Sequence, residues 1–253
     1  MSQAILGVRN LVKQFGGVLA TDHLDFDMVA GEIHAVIGPN GAGKTTFVSQ
    51  LAGTIKPDAG RIRFDGVDIT RASAAARSQR GLARSFQVTS IFPNFTVLTN
   101  VALAVQAHVG HSFRFWRPAH KDPALIEPAY AVLERLGLAQ RANTLAANLP
   151  HGEQRHLDIA IALATRPKLL LLDEPTAGMG AEDSNRMAAV LRDLKSDYSM
   201  LLIEHDMDTV FSLADRITVL VYGQRIATGA PEDIRQNEAV RAAYLGQEDD
   251  IRA

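Results

Sequence analysis

Along this chain the period of the apolar residues changes twice, and the changes mark three stretches. In the first, residues 5–15 and 21–29 read as strands around a Gly16-Gly17 turn, with clear alternation at Leu24, Phe26 and Met28. A second turn at Ala30-Gly31-Glu32 leads into the apolar run 33–37. Residues 61–64 alternate like a strand and end at Asp65-Gly66, a hairpin-turn pair, and residues 82–86 form a short strand ending at Gln87. From about 88 to 166 the spacing becomes helical. Val97, Val101, Ala104, Val105 and His108 share one face, and Leu125, Ala129, Val132, Leu133 and Leu136 share another, closed by Gly137. A third helix is expected over about 152–164. After Pro167 strands and helices alternate again: strands at 169–172 and 200–203, helices at 181–194 and 207–213, and a closing hairpin of 217–221 with 225–227 about Tyr222-Gly223. Strands that are apolar throughout belong to a sheet covered on both faces, which is parallel and doubly wound. No internal repeat, low-complexity tract or heptad run interrupts this pattern.

Between the run 33–37 and an expected helix at 46–51 stands Gly38-Pro39-Asn40-Gly41-Ala42-Gly43-Lys44-Thr45-Thr46. It matches G-x-x-x-x-G-K-[ST] in the strand–loop–helix setting which that motif requires. Glycines let the backbone wrap closely, so successive N–H groups form a concave anion nest, and the helix start adds a favourable dipole end. Lys44 is placed to reach the β- and γ-phosphates and Thr45 to ligand Mg²⁺. The expected fold is therefore an α/β phosphate-loop NTPase core with a mostly parallel sheet, an N-terminal antiparallel β subdomain and a helical insertion. A single unit spans 1–253, with 1–87 and 167–253 as catalytic core and 88–166 as helical subdomain.

Two further strands end in polar residues, where ligands bind in open α/β sheets. Leu169-Leu170-Leu171-Leu172 is followed by Asp173 and Glu174; an Asp there can hold Mg²⁺, and Glu174 points differently and can polarise an attacking water. Met200-Leu201-Leu202-Ile203 is followed by Glu204-His205-Asp206, and His205 can donate a hydrogen bond to the γ-phosphate. Gln87 can coordinate Mg²⁺ or water. A solvated turn, a structural histidine and an incidental glutamine are the blander readings of these three; the upstream phosphate loop weighs against them.

Composition narrows the classes. The net charge of −2 over 253 residues gives no global attraction to nucleic acid or acidic lipid. The absence of cysteine excludes disulfides, thiolate zinc sites and a cysteine nucleophile. Met1-Ser2-Gln3-Ala4 does not open a signal peptide, and no apolar run approaches the ~20 residues of a spanning helix. A soluble, cytoplasmic chain is expected.

Taken in order, these residues resemble the ATP-binding subunit of an ABC transporter across essentially the whole chain. Gln87 is similar to that family's Q-loop glutamine, and Leu149-Pro150-His151-Gly152-Glu153-Gln154 to its signature. Residues 169–173 with Glu174 resemble the Walker B strand and catalytic glutamate, His205 the switch histidine, and Phe15 the aromatic that stacks on adenine. The resemblance implies ATP and Mg²⁺ as ligands and two cassettes sandwiching two nucleotides. Each nucleotide would sit on one subunit's loop and on Pro150, His151, Gly152 and Glu153 of the other. It implies permease subunits contacted near Gln87 and on to about Asn100, a solute-binding protein engaged indirectly, and a peripheral place on the cytoplasmic face of the inner membrane. Nucleic acid is not an implied partner.

Two departures bear on pairing. Pro150 replaces the usual signature serine and His151 a glycine; proline suits a helix's first turn but has no hydroxyl, and one charge-assisted hydrogen bond is worth about 1.5–3 kcal/mol. Ala177-Gly178-Met179-Gly180 ends without the usual acid. Both weaken a partner's site rather than this chain's own loop, so a heterodimer is favoured over a homodimer. The stretches 82–87, 202–207 and 243–246 resemble the branched-chain amino acid importer group, and so does the placement of the loop 106–123, which carries Phe113, Phe115 and Trp116 among Arg114, Arg117 and Lys121. Importers of urea or amides, lipopolysaccharide exporters, non-transport cassette ATPases and a poorly hydrolysing regulatory subunit stand as alternatives.

Overall fold

The computed structural model describes residues 4–85, 91–110 and 122–245. Two sheets organise them. The first is antiparallel, ordered β2-β1-β4-β5. Strands β1 (Ala4–Phe15) and β2 (Val18–Val29) form a long hairpin, and β4 (Ala59–Phe64) and β5 (Val67–Asp68) a short one. Leu24, Phe26 and Met28 are all buried, as their alternation requires. β2 begins earlier than the apolar pattern indicates, because Val18 and Leu19 pair with β1 through the backbone while their side chains stay exposed.

The second sheet is ordered β10-β9-β3-β8-β7-β6. Strands β3 (Ile33–Ile37), β6 (Leu82–Ser85), β7 (Leu169–Asp173), β8 (Ser199–Ile203) and β9 (Arg216–Val221) run parallel, and β10 (Gln224–Gly229) closes the edge antiparallel. Every residue of β3, β7 and β8 is buried. Alternate side chains enter two separate cores. Leu169, Leu171, Leu201 and Ile203 join α1 (Lys44–Ala52) and the antiparallel sheet, whereas Leu170, Leu172, Met200 and Leu202 join the helices on the opposite face. A strand end is thereby held from both sides, which fixes whatever polar residue follows it.

On that opposite face, α3 (Val97–Val109), α4 (Pro123–Arg135) and α5 (His151–Ala164) pack together through Val97, Val101, Val105, Leu125, Ala129 and Leu133. Thr96 caps α3 by accepting from Thr99 N–H at 3.1 Å, and Gly137 after α4 takes a left-handed φ of 71°. Helices α6 (Ala181–Leu194) and α7 (Met207–Leu213) complete this layer. Three short helices have too few turns for a periodic signal: α2 (Ala74–Gln79), α8 (Pro231–Gln236) and α9 (Glu238–Leu245). The expected strand over 82–86 ends at Ser85 in the described residues, and α1 and α5 each begin before their expected first residue.

Two buried polar groups matter for stability. From α2, the fully buried Arg77 donates to the carbonyls of Gln50 (2.6 Å), Leu51 (2.7 Å), Thr70 (3.1 Å) and Ala72 (3.1 Å). In β3, His34 is fully buried against the Phe26 ring, with Nδ1 3.2 Å from Glu32 Oε1 and Nε2 2.8 Å from Thr218 Oγ1. Burial lowers the His34 pKa, outweighing the nearby Glu32 carboxylate, and burial likewise lowers that of His156. The unfolded chain then binds more protons than the native one below the ordinary histidine value of ~6.5, so stability is complete above it and declines on acidification. The urea midpoint is expected to fall as pH is lowered from 7 toward 5.5, and His34→Gln to flatten that fall. An unchanged slope in the variant would show that His34 is not its source.

Candidate functional site

The phosphate loop joins β3 to α1 at the seam between the two sheets. Gly41 and Gly43 take left-handed φ values of 79° and 95°. A Cβ on Gly43 would lie 2.0 Å from the Ala20 carbonyl oxygen, and one on Gly38 2.1 Å from that of Leu220. The β9–β10 turn braces the loop: Gly223 N–H donates to Ala42 O at 3.0 Å and Asp22 N–H to Gly223 O at 3.0 Å. Asn40, Gly41 and Thr45 are exposed, Pro39, Gly43 and Thr46 half-buried, and Gly38 and Ala42 buried. Lys44 is buried and curls back, its Nζ donating to Gly38 O (2.6 Å) and Pro39 O (3.0 Å). Burial pulls its pKa below the ordinary lysine value, while the carboxylates of Glu174 and Asp173 oppose that shift. The lysine and the acid pair therefore share one electrostatic neighbourhood.

Asp173 ends β7 with 1% of its side chain exposed. Its Oδ2 lies 2.7 Å from Nη2 of Arg84 on the neighbouring β6, whose Nη1 in turn reaches Ser49 Oγ at 3.1 Å. Its Oδ1 is buried and has no hydrogen-bond partner among the described residues. Glu174 has φ 50°, a conformation a non-glycine residue seldom adopts, and its N–H donates to Ile203 O at 2.9 Å. That link ties the ends of β7 and β8 together. It brings the Glu174 carboxylate to 3.5 Å from Nδ1 of His205, which is 62% exposed, so the imidazole can turn toward a ligand.

Four expected elements thus converge: the loop, Asp173, Glu174 and His205. Phe15 ends β1 with its ring 47% exposed and Lys13 Nζ 5.2 Å from its centroid, leaving ring surface for a base to stack on. The residues 150–153 lie elsewhere in the fold. Pro150 starts α5 with no side-chain cap, His151 is exposed, and Glu153 Oε2 is 3.1 Å from Arg141 Nε. Among the described residues no hydrogen bond or ion pair joins them to the phosphate loop, and no side chain caps the first turn of α5, which lies beside Asp183 of α6. Gly178 has φ 74° beside the His151 ring, and Gly180 precedes α6 without a side-chain cap. Gln87 and the aromatics of the loop 106–123 (Phe113, Phe115, Trp116) fall outside the described residues.

Sequence reasoning assigned no role to Arg84 or Glu204. The available signal was the same in both: one charged residue set in or directly after an apolar strand of a doubly covered sheet. Such a charge must find partners on a neighbouring strand or loop.

Comparison with known proteins places these observations. A family profile described as ABC transporter matches residues 21–177, and one described as branched-chain amino acid ATP-binding cassette transporter matches residues 224–250. The chain is 38% identical to the high-affinity branched-chain amino acid transport ATP-binding protein BraF of Pseudomonas aeruginosa, over 98% of this chain and all of that one. It is 37% identical to the corresponding LivG protein of Salmonella typhimurium, again over 98% of this chain and all of the relative. A crystal structure of an ATP-binding cassette of an ABC transporter, in its ADP conformation, superposes with a TM-score of 0.85 at 30% identity, covering 97% of this chain and all of that one. Full-length likeness and the convergence of lysine and acid pair agree: the chain belongs to the ABC transporter family, as an ATP-binding, ATP-hydrolysing subunit.

Proposed function

We propose that this chain powers a membrane importer of branched-chain or other hydrophobic amino acids by ATP-driven closure of two cassettes. The observation that carries the reading is the shared neighbourhood of Lys44 with Asp173 and Glu174, two strands apart in the sheet. The match over 224–250 and the names of the relatives support the solute class. The catalytic core comprises 1–87 and 167–253 and the helical subdomain 88–166, on the cytoplasmic face of the inner membrane. Among the described residues no helix is long and apolar enough to cross a membrane.

The loop 38–46 cradles the phosphates, Lys44 leaves its own loop carbonyls to pair with them, and Phe15 stacks on adenine. Mg²⁺ fits the donor set: Asp173 Oδ1 is a buried carboxylate oxygen without a partner, and Thr45 is exposed on the first turn of α1. No group of three or more acidic or histidine residues forms a cage by itself among the described residues, and a bound triphosphate would supply the remaining oxygens. When bound, the metal neutralises charge on the transferring phosphoryl group. Arg84 holds Asp173 in place, Glu174 accepts the proton of the attacking water, and His205 donates to the γ-phosphate. Gln87 completes the metal or water contacts.

The uncapped start of α5, with Pro150, His151, Gly152 and Glu153, faces the nucleotide of a second cassette, where its N–H groups and dipole bind the γ-phosphate. A non-identical partner is favoured, since Pro150 offers no hydroxyl and Gly180 no carboxylate. The permease contact includes Phe92 and Phe95, exposed at 56% and 44% with ring centroids 5.6 Å apart. Their turn is pinned by the buried Asn100, which accepts from Phe92 N–H at 2.7 Å and donates to the carbonyls of Phe92, Phe95 and Thr96. A solute-binding protein engages the permease, not this chain. The purified chain alone is expected to hydrolyse ATP at under about a tenth of the rate shown by the complex with its co-purifying cassette and permease, a deficit matching one lost charge-assisted bond. Equal turnover by the homodimer would overturn the pairing. Reconstituted complexes that hydrolyse ATP without importing leucine would overturn the solute class.

A further inference from the structure

Glu204 is 1% exposed, at the point where β8 passes into the loop carrying His205. Burying a carboxylate costs several kcal/mol unless donors surround it. Here three do. Oε1 accepts from the N–H of Thr176 at 3.0 Å and from its hydroxyl, and Oε2 accepts from the N–H of His205 at 3.1 Å. Among the described residues no lysine or arginine forms an ion pair with it. Both donor residues border reacting groups: His205 itself, and Thr176 two residues beyond Glu174. In that second turn Ala177 N–H donates to Glu174 O at 3.1 Å. The carboxylate is thus a clamp between the loop of the general base and the loop of the histidine. A third tie, Glu174 N–H to Ile203 O, runs beside it.

We infer that Glu204 is a positioning residue for ATP hydrolysis: by bridging Thr176 to the backbone of His205, it holds the histidine in register with Glu174. The inference rests on the catalytic reading of those two residues given above. Glu204 touches no reacting atom. A carboxylate suits the place because all its lone pairs accept. A glutamine of the same shape has one acceptor oxygen, and its NH₂ would face an N–H or a hydroxyl at the other end. The strained φ of Glu174 needs surroundings that over-determine it, and the clamp supplies part of that constraint.

The test is steady-state hydrolysis by the full chain in the complex it forms with its co-purifying partners. Glu204→Gln is expected to lower kcat about 10- to 100-fold with KM for ATP within about threefold, because misplacement costs the chemical step rather than binding. In a His205→Ala background the same substitution should cost less than about threefold, since residues acting through one another are not additive. Thr176→Val keeps the carboxylate and removes one donor. It should lower kcat in the same direction, about fivefold, with the same dependence on His205, and it serves if the Glu204 variant does not fold. Thr176→Ser should restore turnover. Losses that multiply with His205→Ala, a KM shift as large as the kcat shift, or wild-type kcat in Glu204→Gln would each overturn the inference. Glu174→Gln runs alongside: if it too leaves turnover intact, the catalytic reading itself has failed, and if it alone is impaired, only the clamp has.

Discussion

Replacing Glu174 by glutamine is expected to lower ATP turnover by about 10²- to 10⁴-fold, the range for losing a positioned general base. Nucleotide binding should survive, because the substitution touches neither the loop 38–46 nor Asp173. The geometry explains the separation. Asp173 is buried beside Arg84, its Oδ1 without a hydrogen-bond partner among the described residues, whereas the next side chain sits 19% exposed beside His205. An extended chain sends adjacent side chains to opposite sides, and the left-handed backbone at 174 redirects the second acid again. The amide keeps volume and loses only the capacity to take a proton. Released phosphate and retained ATP, measured together, check the result. Turnover within threefold of the parent would leave a regulatory, poorly hydrolysing subunit as the better description.

Truncating Arg77 to alanine should cost about 3–5 kcal/mol of unfolding free energy, read as a lower urea midpoint at unchanged m-value. Among the described residues no carboxylate pairs with this buried guanidinium. Instead it collects carbonyls, two of them from the last turn of α1, where the helix dipole is negative. Removing it leaves four acceptors without their donor and opens a void. Burial lowers its pKa, yet arginine stays charged, so the charge is neutralised by dipoles rather than by proton loss. Lysine at this position should recover only part of the loss, because one ammonium cannot reach four carbonyls spread over α1 and the loop before α2. A change below about 1 kcal/mol for the alanine variant would mean that water replaces the guanidinium without penalty. Since α1 carries Lys44 at its other end, the variant should also bind nucleotide less tightly.

The sequence made the site's skeleton legible because its signals are local. Nine consecutive residues define the phosphate loop, and apolar runs ending in Asp173-Glu174 and Glu204-His205 mark strand ends in a covered sheet. Helical faces such as Val97, Val101 and Val105 are buried as their spacing indicates. What stayed hidden is long-range. Arg77 on a two-turn helix looks like a solvated surface charge until Gln50 and Leu51 are seen against it. Arg84 meets Asp173 only because β6 and β7 pair in parallel, and Glu204 meets Thr176 only because two loops converge. Helices α2, α8 and α9 are too short to display a face, and the early start of β2 depends on backbone pairing that hydropathy does not register.

The contact of Ala20 and Leu220 with Gly43 and Gly38 has a consequence for how this ATPase tolerates change. Strands from both sheets press their carbonyls against the loop, so any side chain at 38 or 43 would wedge three backbones apart before a nucleotide arrives. The intolerance of these positions is thus architectural as well as chemical. A substitution at either glycine would therefore disturb the seam where the two sheets meet as well as the phosphate site, and its cost would appear in folding stability as well as in nucleotide affinity.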